Sequence, residues 1–387
     1  MLRSLPFDSN RCFERAKEVA FSVNNHMDRH WQREVLDESM RVAEQILAPK
    51  DMPERKILIV GGAGYIGTVV TGHLLDAGYS VRCLDALVYN NQFTVLPFLG
   101  RPGYEFLPGD LANEQTFLSA LDGVSDVVLL AGLVGDPVTK KFPDAAARIN
   151  DHGHDTMLKL LNGRGLNRVI FVSTCSNYGM IEGDVLADEN FELKPLSLYA
   201  HSKVRFEKAF LDTSQPVDYT PTVLRFATAF GLSPRMRFDL TVSEFTRALY
   251  RGEDLLVYDG HTWRPYCHVR DFAELIRRCL EATSERVAFD VFNAGGEVNN
   301  FTKQMIVDAV LAQVPGATVR YQDHGSDPRN YRVNFDKVRN RLLFQPSKTV
   351  HDGIAELVAA LRAGLFQRID QPPSFFGNYQ LEHHVNG

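Results

Sequence analysis

The sequence predicts an α/β protein: a doubly wound parallel sheet, a smaller interleaved substrate-binding domain and an N-terminal helical extension. Three observations carry this. From Lys56 onward, short apolar runs alternate with helical patterns, the arrangement that covers a parallel sheet on both faces. The first run, Lys56 to Val60, leads directly into Gly61-Gly62-Ala63-Gly64-Tyr65-Ile66-Gly67, and an amphipathic segment follows. A second run, Ser80 to Leu84, ends on Asp85, 24 residues after Gly61.

Strand, glycine turn and helix start are the parts of a Rossmann-type dinucleotide site. Gly62 is expected to make the tight turn, Gly64 to let the backbone approach a pyrophosphate, and Gly67 to bring helix and strand together. The backbone from Gly61 through Gly64, Tyr65, Ile66 and Gly67 would then meet the cofactor, because a helix N-terminus offers unpaired N–H donors and a positive dipole end. Asp85 is placed to accept hydrogen bonds from ribose hydroxyls. A carboxylate there repels a 2′-phosphate, so the expected cofactor is NAD rather than NADP.

Later elements follow the same alternation. Strands are expected at 104–107, 126–130, 168–172 and 221–225, and helices at 114–121, 145–161 and 198–211. After about Gly231 the alternation fades and turns rich in Gly, Pro and Asp appear. The boundaries read as a helical extension over 1–54, a dinucleotide-binding domain over 55–230, a mainly substrate-binding domain over 231–370, and a loosely ordered tail over 371–387. In the extension, Leu36, Met40, Ala43 and Leu47 recur at helical spacing, as for a packing or oligomerisation appendage.

Composition narrows the function. With 387 residues, 44% of them hydrophobic, the chain can bury a sizeable core. A formal net charge of −6 and no long Lys/Arg run argue against a nucleic-acid partner. No apolar stretch reaches the ~18 residues of a membrane span. Five scattered cysteines suit reduced thiols in a cytoplasmic enzyme. No metal is expected: His152 and His154 are too closely spaced for one helix face and read as surface-helix residues.

Tyr199 and Lys203 are four residues apart on a predicted helix and share a face. Upstream, Ser173-Thr174-Cys175-Ser176-Asn177-Tyr178-Gly179 follows a predicted strand. A free tyrosine titrates near pH ~10 and is a poor base at neutrality. A nearby ammonium and the positive ring of the oxidised cofactor both favour the phenolate. Tyr199 can then remove a hydroxyl proton while hydride leaves the same carbon, with Thr174 holding the hydroxyl oxygen in line.

With these motifs in place, residues 56–366 resemble the extended short-chain dehydrogenase/reductase family, in its NAD-dependent nucleotide-sugar epimerase and dehydratase branch. The resemblance implies that Thr174, Tyr199 and Lys203 are catalytic and that the substrate is a nucleotide-diphosphate sugar. Asp110-Leu111 is similar to the family's adenine-contacting pair, and Ala131-Gly132-Leu133 to the loop under the nicotinamide ribose and diphosphate. Asn150 resembles the asparagine that supports the active site from the next helix. Thr228 stands at the end of a strand that contacts substrate. Arg264, in Arg264-Pro265-Tyr266-Cys267-His268, and Arg329, in Asp327-Pro328-Arg329, either bind the substrate diphosphate or form solvated salt bridges. Arg235 and Arg237 either line the nucleotide-diphosphate pocket or are loop charges. A homodimer through the helices flanking Tyr199 is also implied.

Departures from the family pattern restrict the reaction. Members that eliminate water carry an Asp-Glu pair directly after the threonine. Here those positions are Cys175 and Ser176, which are expected to line the substrate site instead. Dehydration and decarboxylation are disfavoured, and Cys175 is one residue away from the base of cysteine-dependent epimerases. The expected activity is epimerisation through transient oxidation at C4. A net dehydrogenase or 4-ketoreductase uses the same triad and stays open. A catalytically silent NAD-binding scaffold is the reading from another class.

Overall fold

A computed structural model describes residues 55–325, 327, 329–366 and 373–381. The helical extension expected before residue 55 lies outside the described residues.

Seven parallel strands form the central sheet: β1 (Lys56–Val60), β2 (Ser80–Asp85), β3 (Tyr104–Pro108), β4 (Asp126–Leu129), β5 (Arg168–Thr174), β6 (Thr220–Phe226) and β7 (Asp290–Ala294). Their spatial order is β7-β6-β5-β4-β1-β2-β3. Consecutive strands run outward in both directions from β1, so the order reverses between β1 and β4. A crevice opens at the carboxyl ends of strands at such a reversal.

Alternation along β1 shows why the sheet is covered on both sides. Ile57 and Ile59 join one core with Val70 and Leu74 of α1 (Gly67–Asp76). Leu58 and Val60 join the opposite core. Phe117 of α2 (Glu114–Leu121), Met157 and Leu161 of α3 (Gly153–Leu161), and Phe206 and Phe210 of α4 (Leu198–Phe210) complete that second core. Side chains alternate faces along a strand, so an unbroken apolar run is buried twice. Helix starts are marked by caps: the Asn113 side chain accepts the Thr116 N–H at 2.9 Å before α2, and Ser197 accepts the Ala200 N–H at 3.3 Å before α4.

A third core lies beyond the sheet's carboxyl edge. Val242, Phe245 and Leu249 of α5 (Thr241–Tyr250) pack there with apolar residues of the helices Lys303–Leu311 and Val350–Arg362. The chain crosses between layers more than once, since β7 returns to the central sheet after α5. Among the described residues no helix is long and apolar enough to cross a membrane.

Two details differ from the sequence expectations. The helix expected over 145–161 is interrupted by a π-helical segment, Ala147–His152, which widens the turn carrying Asn150. Residues 373–381, expected to be loose, pack against the body: Phe375 stacks on Phe93 with ring centroids 4.4 Å apart, and Phe238 N–H donates to the Phe376 carbonyl at 2.7 Å. Aromatic burial and one strong backbone bond fix this segment despite its lack of periodicity.

Candidate active site

One cleft of about 470 Å³ runs along the carboxyl ends of the strands from Asp85 to Tyr199. Its floor is the glycine turn. Gly61 has φ +91° and lies against the Ala131 backbone, so the tight turn falls at Gly61 rather than at Gly62. Gly62 instead packs against the Cys83 side chain. A side chain at Gly67 would collide with the Gly61 carbonyl, and this contact lets α1 begin under the turn. The space above Gly61, Gly64, Tyr65, Ile66 and Gly67 is thus bounded by backbone alone at several points, a cradle suited to a pyrophosphate. The Tyr65 phenol is not part of it, since its hydroxyl donates to the Gly231 carbonyl at 2.7 Å.

Asp85 closes one end. Its carboxylate accepts the Ala63 N–H at 3.0 Å and the Leu87 N–H at 2.8 Å. Burial pushes its carboxyl up, and these two donors oppose that shift. Asp110 is held by Arg148, which donates at 2.6 Å, and by the Ala112 N–H at 2.9 Å; Leu111 beside it is buried. Ala131, Gly132 and Leu133 form the next wall. Asn150 clamps that loop, accepting the Leu133 N–H at 2.8 Å and donating to the Leu133 carbonyl at 3.0 Å. Its whole amide is occupied by this loop, so it bears on the cleft through Leu133.

The other end holds Thr174, Tyr199 and Lys203. Thr174 ends β5, and its hydroxyl oxygen accepts the Ser176 N–H at 3.1 Å, capping a short 3-10 turn. Lys203 is 1% exposed. Its Nζ donates to the Val172 carbonyl at 2.9 Å, and lies 4.4 Å from the Phe171 ring centroid and 5.8 Å from that of Tyr199. Burial pushes the Lys203 ammonium down to about 7, against the pull of Glu207.

Ser176 and Thr228 line the cleft, but Cys175 does not. Cys175 is fully buried, its Sγ donates to the Arg225 carbonyl at 3.1 Å, and burial pushes its thiol up. Consecutive residues of the turn face opposite ways, so the substrate contact expected of Cys175 is corrected. His154 is corrected too: it is fully buried, because it sits on the face of α3 that packs against the Phe171 and Phe206 rings, 4.8 Å from Phe206 by ring centroids.

Arg264 and Arg329 meet over the Thr174 end, both on Asp327. Arg329 donates to its two carboxylate oxygens at 2.8 and 2.9 Å, and Arg264 approaches at 3.2 Å. Arg235 differs from its expected substrate position. It lies at the Asp85 end, 2% exposed, with its guanidinium carbon 4.5 Å from the Tyr89 ring centroid. Arg237 is buried in a bidentate pair with Asp239.

Residues 57–295 match the NAD dependent epimerase/dehydratase family. The chain belongs to this family. Its cofactor is NAD, and the glycine cradle with Asp85 at its edge fits that group. A dTDP-glucose 4,6-dehydratase of Streptomyces griseus is 30% identical over 78% of this chain and 93% of its own length. A UDP-glucose 4-epimerase of Corynebacterium glutamicum is 25% identical over 81% and 97%. Among solved structures, DesIV from Streptomyces venezuelae, a dTDP-glucose 4,6-dehydratase determined with NAD bound, superposes with a TM-score of 0.71 at 25% identity, over 80% of this chain and 97% of its own.

For a member of the NAD-dependent epimerase/dehydratase family, the group that sequence reasoning missed lies behind Thr174. Glu207, 3% exposed, receives the Arg225 guanidinium at 2.8 and 3.1 Å, the Asn177 amide at 2.8 Å and the Ser173 hydroxyl. Arg225 also donates to the Tyr178 hydroxyl at 3.1 Å, which donates to Asn293 at 2.7 Å. The signal was present in the sequence: Tyr199, Lys203 and Glu207 are spaced by four, one stripe of α4. Tyr331, whose hydroxyl lies 3.4 Å from the Ser176 Oγ, had no such signal.

Proposed function

We propose that this chain is a nucleotide-diphosphate-sugar epimerase that works by transient oxidation at C4. The observation that carries this reading is the chemistry around Thr174. Thr174, Tyr199 and Lys203 share one cleft, and neither residue after Thr174 offers a carboxyl group. Dehydration needs an acid beside the leaving hydroxyl and a base at the neighbouring carbon. The cleft's carboxylates are engaged elsewhere: Asp85 by two backbone N–H groups, Asp110 by Arg148, Asp239 by Arg237 and Asp327 by Arg329. Arginine partners hold Asp239 and Asp327 below the usual carboxylate range against burial, so neither is a proton donor at neutrality.

When bound, the NAD supplies a nicotinamide ring that accepts hydride from the sugar carbon and returns it. The protein's part is proton transfer and orientation. Tyr199 takes the C4 hydroxyl proton and later returns it. Thr174 donates to the same oxygen and fixes its direction, and Lys203 stabilises the phenolate. Turning the keto sugar within the cleft presents its other face, and Arg264 and Arg329 are suited to hold the substrate diphosphate meanwhile. The curated relatives act on UDP-glucose and dTDP-glucose, which supports a nucleotide-diphosphate sugar as substrate. The same reading carries a homodimer through the helices flanking Tyr199 and action in the cytoplasm.

The test is incubation of the purified protein with UDP-, dTDP- and GDP-sugars, without added NAD, followed by chromatography. A C4 epimer formed catalytically is expected. A 4-keto-6-deoxy product would replace the proposal with dehydration, and a requirement for stoichiometric NAD or NADH would replace it with net redox.

A further inference from the structure

The Asp85 end of the cleft is covered by two segments with no role in the proton chemistry. One is the loop from Gly231 to Asp239, which crosses the start of α1. Ser233 Oγ donates to the Tyr65 carbonyl at 2.6 Å and lies 3.0 Å from Thr68 Oγ1, while Tyr65 bonds back to Gly231. The other is the C-terminal segment at Phe375 to Tyr379. Asn378 Nδ2 donates to the Val134 carbonyl at 3.0 Å on one side, and Phe375 stacks on Phe93 on the other. The two segments are joined by the Phe238–Phe376 backbone bond and by Arg235, whose Nη2 donates to the Gly377 carbonyl at 3.2 Å.

We propose that these segments form a clamp over the adenosine and diphosphate half of the bound NAD, with Arg235 as the cation that recognises it. The inference rests on the NAD assignment of this cleft and goes beyond it, since Arg235 and the tail have no counterpart in the glycine-turn motif. Position decides the side. Asp85 ends β2 and Thr174 ends β5, with β1 and β4 between them. At a strand spacing of about 4.8 Å the two ends are roughly 14 Å apart. Arg235 stacks on Tyr89 beside Asp85, far from the Thr174 end where a sugar would react. Asn378 and Tyr379 line the same cleft.

The electrostatics agree. Burial, with the nearby Arg237 charge, pushes Arg235 down to about 10, so it stays cationic at neutrality while poorly solvated. Such a cation gains from an anionic ligand more than a surface arginine does. The segment whose Gly377 carbonyl receives Arg235 is tied to Val134 through Asn378 and to Phe93 through Phe375, so opening the clamp means parting that bond or that stack. The clamp therefore contributes both affinity and a slow off-rate.

The experiment compares full-length wild type, Arg235→Met and Asn378→Ala, stripped of cofactor, for binding of NAD+ and of ADP-ribose, which lacks the nicotinamide. Arg235→Met is expected to weaken both ligands by at least about tenfold, and Asn378→Ala to accelerate NAD+ release by a similar factor. The KM for the nucleotide sugar at saturating NAD+ should stay within about twofold. Should Arg235→Met fail to fold, Arg235→Lys keeps the charge without the planar fork and is expected to show an intermediate loss. Unchanged NAD+ and ADP-ribose binding in the arginine variants overturns the clamp. So does a raised KM for the sugar with intact NAD+ binding, which would put Arg235 in the substrate site. A wild-type protein that binds neither ligand would instead remove the cofactor assignment itself.

Discussion

Lys203 donates a 2.9 Å hydrogen bond to the carbonyl of Val172, two residues before Thr174 on the same strand. The proposed base-activating amine is thereby tied to the strand that carries the proposed substrate-orienting hydroxyl. A shift of α4 against β5 would disturb proton transfer and substrate orientation together.

The Lys203–Tyr199 relationship predicts a specific pH response. Burial lowers the lysine to about 7 in the folded protein, while an unfolded lysine titrates near ~10.4. Between those values the unfolded state binds more protons, so stability rises with pH over that window. Below pH 7 the buried charge costs its full amount, on the order of 5 kcal/mol by linkage. Lys203→Met should therefore flatten the stability rise between pH 7 and 10, measured by denaturant titration. Its residual activity should peak at higher pH than wild type, because a phenol without the ammonium ionises later.

Tyr199→Phe removes only the hydroxyl. Turnover is expected to fall roughly 10²–10⁴-fold, the usual worth of a positioned acid/base. Cofactor content of the purified protein, measured by absorbance after acid release, should match wild type. A variant retaining full turnover would remove Tyr199 from the chemistry.

Glu207 and Arg225 form a buried pair, and breaking one side leaves the other charge unpaired. Glu207→Ala is expected to cost about 3–5 kcal/mol in a denaturant titration. Pairing Glu207→Leu with Arg225→Met should recover part of that stability, since neither charge is then left buried alone, although Ser173, Asn177 and Tyr178 each lose a partner. If the network also positions Thr174 through Ser173 and Asn177, kcat of the double variant will stay low while its melting temperature recovers.

Asn150→Ala removes both bonds to the Leu133 backbone and leaves a buried donor and acceptor unmet. A loss of about 2–4 kcal/mol in stability is expected. NAD affinity should drop at the same time, read by isothermal titration, because Ala131–Leu133 forms a wall of the cleft. Asn150→Asp preserves acceptance from the Leu133 N–H but not donation to its carbonyl, and should fall between the two.

Gly67→Ala places a methyl group against the Gly61 carbonyl. The helix start must move away from the turn, so NAD retention through gel filtration is expected to fall sharply. Gly72→Ala, a helical position where the added carbon meets Phe98 at 3.5 Å, should leave retention unchanged.

Much of the fold was legible because local signals and tertiary demands agree. Lys56–Val60 is apolar at every position except its first, and a strand covered on both faces needs that. Asn113, Ser197 and Thr349 are capping residues where helices begin. The site was legible where one element carries it: Tyr199 and Lys203 by helical spacing, Gly61 to Gly67 by one turn. It was not legible where separate elements meet. Arg264 against Asp327, Arg235 against Tyr89, and the tail against Phe93 depend on contacts across more than 60 residues of chain, which leave no periodicity to read.

By itself, the sequence determined the layered α/β architecture, the NAD cradle and the Tyr199/Lys203 face, since each follows from spacing within one segment. Only the tertiary structure decided which way neighbouring side chains turn: Cys175 inward and Ser176 toward the cleft, His154 into the core, Asn150 onto Leu133. It also decided how far burial lowers Lys203 and at which end of the cleft Arg235 lies. The physical reason is that desolvation and long-range pairing belong to the packed environment, and a residue's type and spacing do not specify that environment.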